Sequence, residues 1–167
     1  MNDPIHIARI LVPIDGSEFS RYAAEHAVRI AQAYASELVF LHVVDDQIVG
    51  QLVHAAPENG EARARERLIE QGHIYLRDVA RLAEERGLPH REAVAEGDPC
   101  AVICDTATQS SADLIVMGKH GRRGARRILI GSITRRVTEF TELPILIVTR
   151  PPPDRAASDA TTSHAAN

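Results

Sequence analysis

Ala8 to Asp15 reads ARILVPID, and Gly16 to Ala35, which follows without a break, reads GSEFSRYAAEHAVRIAQAYA. The first stretch is a short aliphatic run ended by Pro13 and Asp15, the pattern of a strand buried on both faces and therefore central in a sheet. In the second, Ala23, Ala24, Ala27, Ile30, Ala31 and Tyr34 recur at helical spacing, with Ser17 placed to cap the start. A buried strand that feeds straight into an amphipathic helix is half of a βαβ unit. Whether the rest of the chain repeats it decides the fold.

It does repeat. SELVFLHVVD (36–45) is a second aliphatic strand, and DQIVGQLVHAAPENG (46–60), with Gly50, Pro57 and Gly60 and no sustained period, reads as a long loop. Glu61 to Arg86 interleaves charges with a stripe through Leu68, Gly72, Tyr75, Leu76, Val79 and Ala83, the longest helix, ended by Gly87. Gly72 inside it implies close contact with a neighbour, since a mid-helix glycine costs about 1 kcal/mol relative to alanine. HREAVAEG (90–97) is a polar strand suited to a sheet edge; Asp98 and Pro99 open a helix; ADLIVMG (112–118) is buried strand, GSITRRVTEF (131–140) short helix and PILIVTR (144–150) a last strand. Five strands alternating with four helices predict a doubly wound α/β domain, with a five-stranded parallel sheet in the order 3-2-1-4-5 and helices on both faces. The domain spans residues 3–150, and 151–167, rich in Pro, Ala, Ser and Thr, reads as a flexible tail.

A chain of 167 residues, 44% hydrophobic and 25% charged, suffices to bury one core without metal or disulfides. The start, MNDPIHIARI, lacks the basic and apolar regions of an export signal, so the expectation is a cytoplasmic protein with no membrane span. Cys100 and Cys104 share one helical face and read as packed thiols.

In such folds ligands sit beyond the carboxyl ends of the strands, where the strand order reverses. There the sequence places Asp15, after the first strand, opposite MGKHGRRGARRILIGSITRR (117–136), which holds seven basic side chains and no acidic one in a chain of net charge -4. Its glycines run Gly118, Gly121 and Gly124, then Gly131 and Ser132 open a helix. Glycines let backbone amides approach a phosphate, and a helix start adds aligned amides and partial positive charge. The spacing is neither a Walker A motif nor a dinucleotide fingerprint.

Gly118, two residues, Gly121, nine residues, Gly131 and Ser132 match the GxxGx9G(S/T) pattern, and with ILVPIDGSE, LHVVD, DLIVMGKHG and PILIVTR the chain from Ile7 to Arg150 resembles the ATP-binding branch of the universal stress protein family. That resemblance implies an adenine nucleotide α-hydrolase-like fold, ATP, with or without Mg2+, as ligand, and regulation of stress responses by a dimeric nucleotide-dependent switch. It assigns Asp15 to the ribose hydroxyls, Pro13 and the backbone near Val43 to the adenosine, Met117, Gly118 and Gly121 to the ribose and phosphate loop, and Gly131, Ser132 and Ile133 to the phosphate-binding helix start. It also implies a homodimer through Pro144 to Thr149, and an unpaired aliphatic edge strand independently invites such pairing.

Plainer readings stand beside these. Asp15 could simply cap the first helix, Lys119 could be an ordinary exposed side chain, and His42 a satisfied core or switch-point residue; His120 could touch phosphate or merely titrate in solvent. Arg122, Arg123, Arg126 and Arg127 could neutralise phosphates, with at least two facing solvent. Nucleic acid is set aside, because the segment lacks aromatics for stacking and the chain is acidic. No nucleophile elbow is legible, and Asp15 and Ser132 could contribute to a metal site through water but have no second carboxylate in the loop, so slow hydrolysis is the most expected of it, with a hydrolase or phosphotransferase using Asp15, and a dimerisation module without nucleotide, as the alternatives.

Overall fold

The computed structural model describes residues 6–122 and 130–150. The expected tail at 151–167, and Arg123, Gly124, Arg126 and Arg127, lie outside the described residues.

β1 (Arg9–Pro13), β2 (Glu37–Asp45), β3 (His90–Gly97), β4 (Leu114–Gly118) and β5 (Ile145–Val148) form a parallel sheet in the order β3-β2-β1-β4-β5, as the alternation predicted. α1 (Glu18–Tyr34) and α3 (Gly60–Glu84) cover one face, where Ala23, Ala27, Leu76, Val79 and Ala83 pack against Ile10, Val12, Leu38, Phe40 and Val116. α4 (Pro99–Gln109) and α5 (Ser132–Phe140) cover the other, with Cys100, Ile103, Ala107 and Val137 against Leu11, Val39, Leu41, Ile115 and Met117. Alternate residues of the central strands thus go to opposite cores, which is why those strands read as unbroken aliphatic runs.

The start signals act as read. The Ser17 hydroxyl accepts the Ser20 amide at 3.1 Å, and Asp98 accepts the Ala101 amide at 3.0 Å with Pro99 behind it. β3, the polar strand, lies at an edge, as does β5. Cys100 is buried and Cys104 partly so; both thiols are free, and burial pushes that of Cys104 up.

One reading is corrected. The segment after β2 is not a long loop but α2 (Asp46–Ala55) followed by a 3-10 turn at Pro57–Asn59. Asp45 caps α2 by accepting the Gln47 amide at 2.9 Å, and the one buried residue of α2, Val49, packs with Val44 and Ala64. Ile48, Val49, Leu52 and Val53 recur at helical spacing and Val53 packs beside Val49, but the stripe is short, and Gly50 within it with Pro57 and Gly60 after it give the segment the look of a loop. Arg65 pairs with Asp46, Glu61 and Glu96 at 2.7–2.9 Å, fastening α2 and α3 to the end of β3.

Candidate functional site

β1 and β4 are neighbours in register Leu11↔Ile115, so their carboxyl ends lie side by side, and β2 flanks β1 in register Pro13↔Leu41. This is the point at which the strand order reverses, and Asp15 emerges there together with the glycine segment. Val43 and Met117 both belong to the core face under α4 and α5, on either side of β1, while the half-buried Pro13 ends β1 itself.

The glycine stem fits because nothing else would. A Cβ on Gly118 would stand 2.7 Å from the Phe19 carbonyl carbon, so α1's first turn lies directly on the end of β4. A Cβ on Gly121 would stand 2.6 Å from Asp15 Oδ2. Gly131 returns the chain to the stem, donating its amide to the Lys119 carbonyl at 2.9 Å, and serves as the N-cap of α5 without any side-chain cap. The first amides of α5, at Ser132 and Ile133, therefore start a helix that no side chain closes, and both residues are exposed. Two ties hold this helix in place: the Thr134 hydroxyl donates to the Gly118 carbonyl at 3.0 Å, and Arg136 forks onto Asp98 at 2.8 and 3.0 Å. Arg136 beside it holds the Asp98 carboxyl below its ordinary pKa. Some of the basic segment's charge is thus spent within the fold, since Arg135 also pairs with Glu139 at 2.7 Å.

Asp15 is not the helix cap, a role Ser17 fills. Its Oδ1 accepts the Ser17 amide at 3.0 Å and its Oδ2 the Arg122 amide at 2.9 Å, so the carboxylate joins the β1 turn to the glycine stem. Gly16, at φ +78°, permits that turn.

Two more residues belong here, Tyr75, which the sequence did not single out for the site, and His42, which it read as a core or switch-point residue. Tyr75 of α3 lies over Gly16, where a Cβ would come within 2.4 Å of the ring, and Arg122 sets its guanidinium over the same ring, Cζ 5.4 Å from the centroid. Tyr75 read as part of a core stripe; its position one turn after Gly72 was the available signal that this part of α3 crosses the strand ends. His42 is the other. It is buried, its Nδ1–H donates to the Ile14 carbonyl at 2.7 Å, and its ring meets Tyr75 edge-on at 5.7 Å. His120 is also buried, edge-on to Phe19 at 5.2 Å, rather than free in solvent, and its Nδ1 finds no partner among the described residues.

Burial pushes the His42 pKa down, with the Ile14 carbonyl and Asp15 pulling the other way and Arg122 and His73 adding to the depression. The folded state therefore binds this proton less readily than the unfolded chain, whose histidine titrates near pH 6.5. Stability from this group is complete above about pH 6.5 and falls as the pH drops from there toward the depressed folded value. The thermal midpoint is expected to decline as the pH is lowered below about 6.5, and His42→Asn, which keeps a donor for Ile14, should flatten that slope; an unchanged slope in the variant would assign it to other groups.

Among the described residues no three His, Cys, Asp or Glu side chains come together to hold a metal, and no helix is long and apolar enough to cross a membrane.

A doubly wound parallel sheet with a glycine stem and an open helix start at its switch point places the chain among the α/β proteins that carry their sites beyond the carboxyl ends of the strands. A profile of the universal stress protein family matches residues 6–149, and the chain belongs to that family. It is 38% identical to universal stress protein MJ0531 of Methanocaldococcus jannaschii over 86% of this chain and 82% of that one. The solved structure of MJ0577, from the same organism, superposes with a TM-score of 0.78 at 27% identity, covering 89% of this chain and all of that one. Two further structures share the fold: a universal stress protein in complex with cAMP (TM-score 0.62, 23% identity, 87% and 98% covered) and one from Archaeoglobus fulgidus in complex with dAMP (TM-score 0.63, 17% identity, 87% and 100% covered).

Proposed function

We propose that this chain binds an adenine nucleotide, ATP foremost, at the carboxyl ends of β1 and β4, and that occupancy makes it a switch in the stress response of the cytoplasm. Asp15 takes the ribose hydroxyls, Pro13 and the backbone near Val43 flank the adenosine, Met117, Gly118 and Gly121 form the stem that admits sugar and phosphate, and Gly131, Ser132 and Ile133 present amides to the phosphates. The observation that carries this reading is the α5 start, capped by a glycine alone and facing a stem whose Gly121 lies against Asp15. Family members solved with cAMP and dAMP support the choice of base. The protein acts as a homodimer through Pro144 to Thr149, the exposed edge of the sheet where Leu146 remains 37% accessible.

The test is to release and identify the nucleotide that copurifies, then titrate ATP into the wild type and Gly121→Val. A valine there collides with Asp15 Oδ2, so affinity should fall by more than about tenfold with the fold intact, the loss of one charge-assisted hydrogen bond. Equal affinities, or no binding by the wild type up to low millimolar ATP, would defeat the proposal.

A further inference from the structure

Asp15 already carries two amide hydrogen bonds within the fold. Both oxygens are engaged, Oδ1 by the amide of Ser17 and Oδ2 by that of Arg122, and Gly121 covers Oδ2 so closely that a Cβ would come within 2.6 Å of it. The two amides differ in kind. Ser17 is two residues from Asp15 and its bond belongs to the β1 turn, whereas Arg122 is 107 residues away and arrives on another strand's end.

Arg122 is held a second time, by its side chain. The guanidinium lies over Tyr75, and Tyr75 is itself fixed, lying over Gly16 on one side and meeting His42 edge-on. The chain leaving β4 is therefore fastened at two points, its amide to the β1 turn and its cation to α3, both beside the carboxylate assigned to the sugar.

We propose that Arg122 is a self-ligand of this site: its backbone amide takes the place of a sugar hydroxyl on Asp15 Oδ2, which Gly121 covers on another side, its guanidinium on Tyr75 holds the amide there, and a nucleoside must displace it to bind. This rests on the nucleotide reading of the same site. An exchange of one amide for one hydroxyl on a carboxylate is close to even in hydrogen bonds. The occupancy of the latch is then set by the exposed cation–π contact, which is worth a factor of about two to five. Arg122 used instead as a phosphate contact has the opposite sign, since removing the cation would then weaken ATP binding.

Adenosine separates the two roles because it has the sugar and no phosphate. Calorimetric titration of adenosine and of ATP into the full chain, Arg122→Met, Tyr75→Leu and the double variant should show adenosine binding about two- to fivefold tighter in each single variant and no tighter in the double. In the ligand-free protein, exchange of the residue 122 amide should speed up by the same factor. Arg122→Met alone decides if Tyr75→Leu, which alters a partly buried ring, fails to fold. Adenosine affinity that is unchanged or weaker in Arg122→Met overturns the latch while leaving the nucleotide reading standing. Absence of adenosine and ATP binding in every protein overturns the nucleotide reading, and the latch with it.

Discussion

Gly118→Val should lower the free energy of unfolding by about 3 kcal/mol, at the upper end of what inserting carbon into a packed interior costs. The Cβ would stand 2.7 Å from the carbonyl carbon of Phe19 and 2.8 Å from its oxygen, and these are backbone atoms in the first turn of α1 that cannot rotate aside. Relief requires that α1 lift from the end of β4, opening the packing of Ala23 and Ala24 on the sheet. For a domain of this size the thermal midpoint should drop by roughly 6–12 °C, with an unchanged dependence on urea. A loss below about 1 kcal/mol would mean that α1 is free to shift, and that close approach of α1 is not what requires glycine at 118.

The second large effect is at Gly72, where a Cβ would lie 2.3 Å from His42 Cδ2. The imidazole cannot retreat without breaking its 2.7 Å hydrogen bond to the Ile14 carbonyl, next to Asp15. Gly72→Val should therefore cost about 3 kcal/mol, even though valine is a slightly better helix former than glycine. His42→Ala alone should cost about 2 kcal/mol, through lost packing and a carbonyl left without its donor. In the double variant the valine enters the space the ring vacates, so the combined loss should fall short of the sum by at least about 1 kcal/mol. Strict additivity in denaturant titrations would show that the two residues do not share that space.

Much of the fold that surrounds the candidate site was legible in one dimension. The expectation that Gly72 meets a neighbour, that Ser17 and Asp98 cap helices and that β3 lies at an edge all rest on signals within a few residues, and the structure agrees with each. What failed was α2, whose stripe of Ile48, Val49, Leu52 and Val53 is only two turns long and broken by Gly50, so that it holds as a helix through the packing of Val49 and Val53 beside Ala64 of α3. His120 was misjudged for a related reason: a histidine between glycines looks exposed, and only the approach of Phe19 from α1 buries it.

The order of strands and helices, the parallel sheet and the position of the glycine segment at its switch point follow from residue patterns alone, because hydrophobic period, caps and turn residues act on their immediate neighbours. Which groups meet at that point was settled only by the folded chain. Asp15 engages the amide of Arg122, Tyr75 lies over Gly16, and His42 lies against Gly72, contacts between residues far apart in the chain that exist because right-handed crossovers and one sheet register bring three strand ends and α3 together. A spacing of glycines indicates that a phosphate can approach. What the carboxylate beside it already bonds depends on backbone that reaches it from elsewhere in the fold, the amide of Arg122 above all.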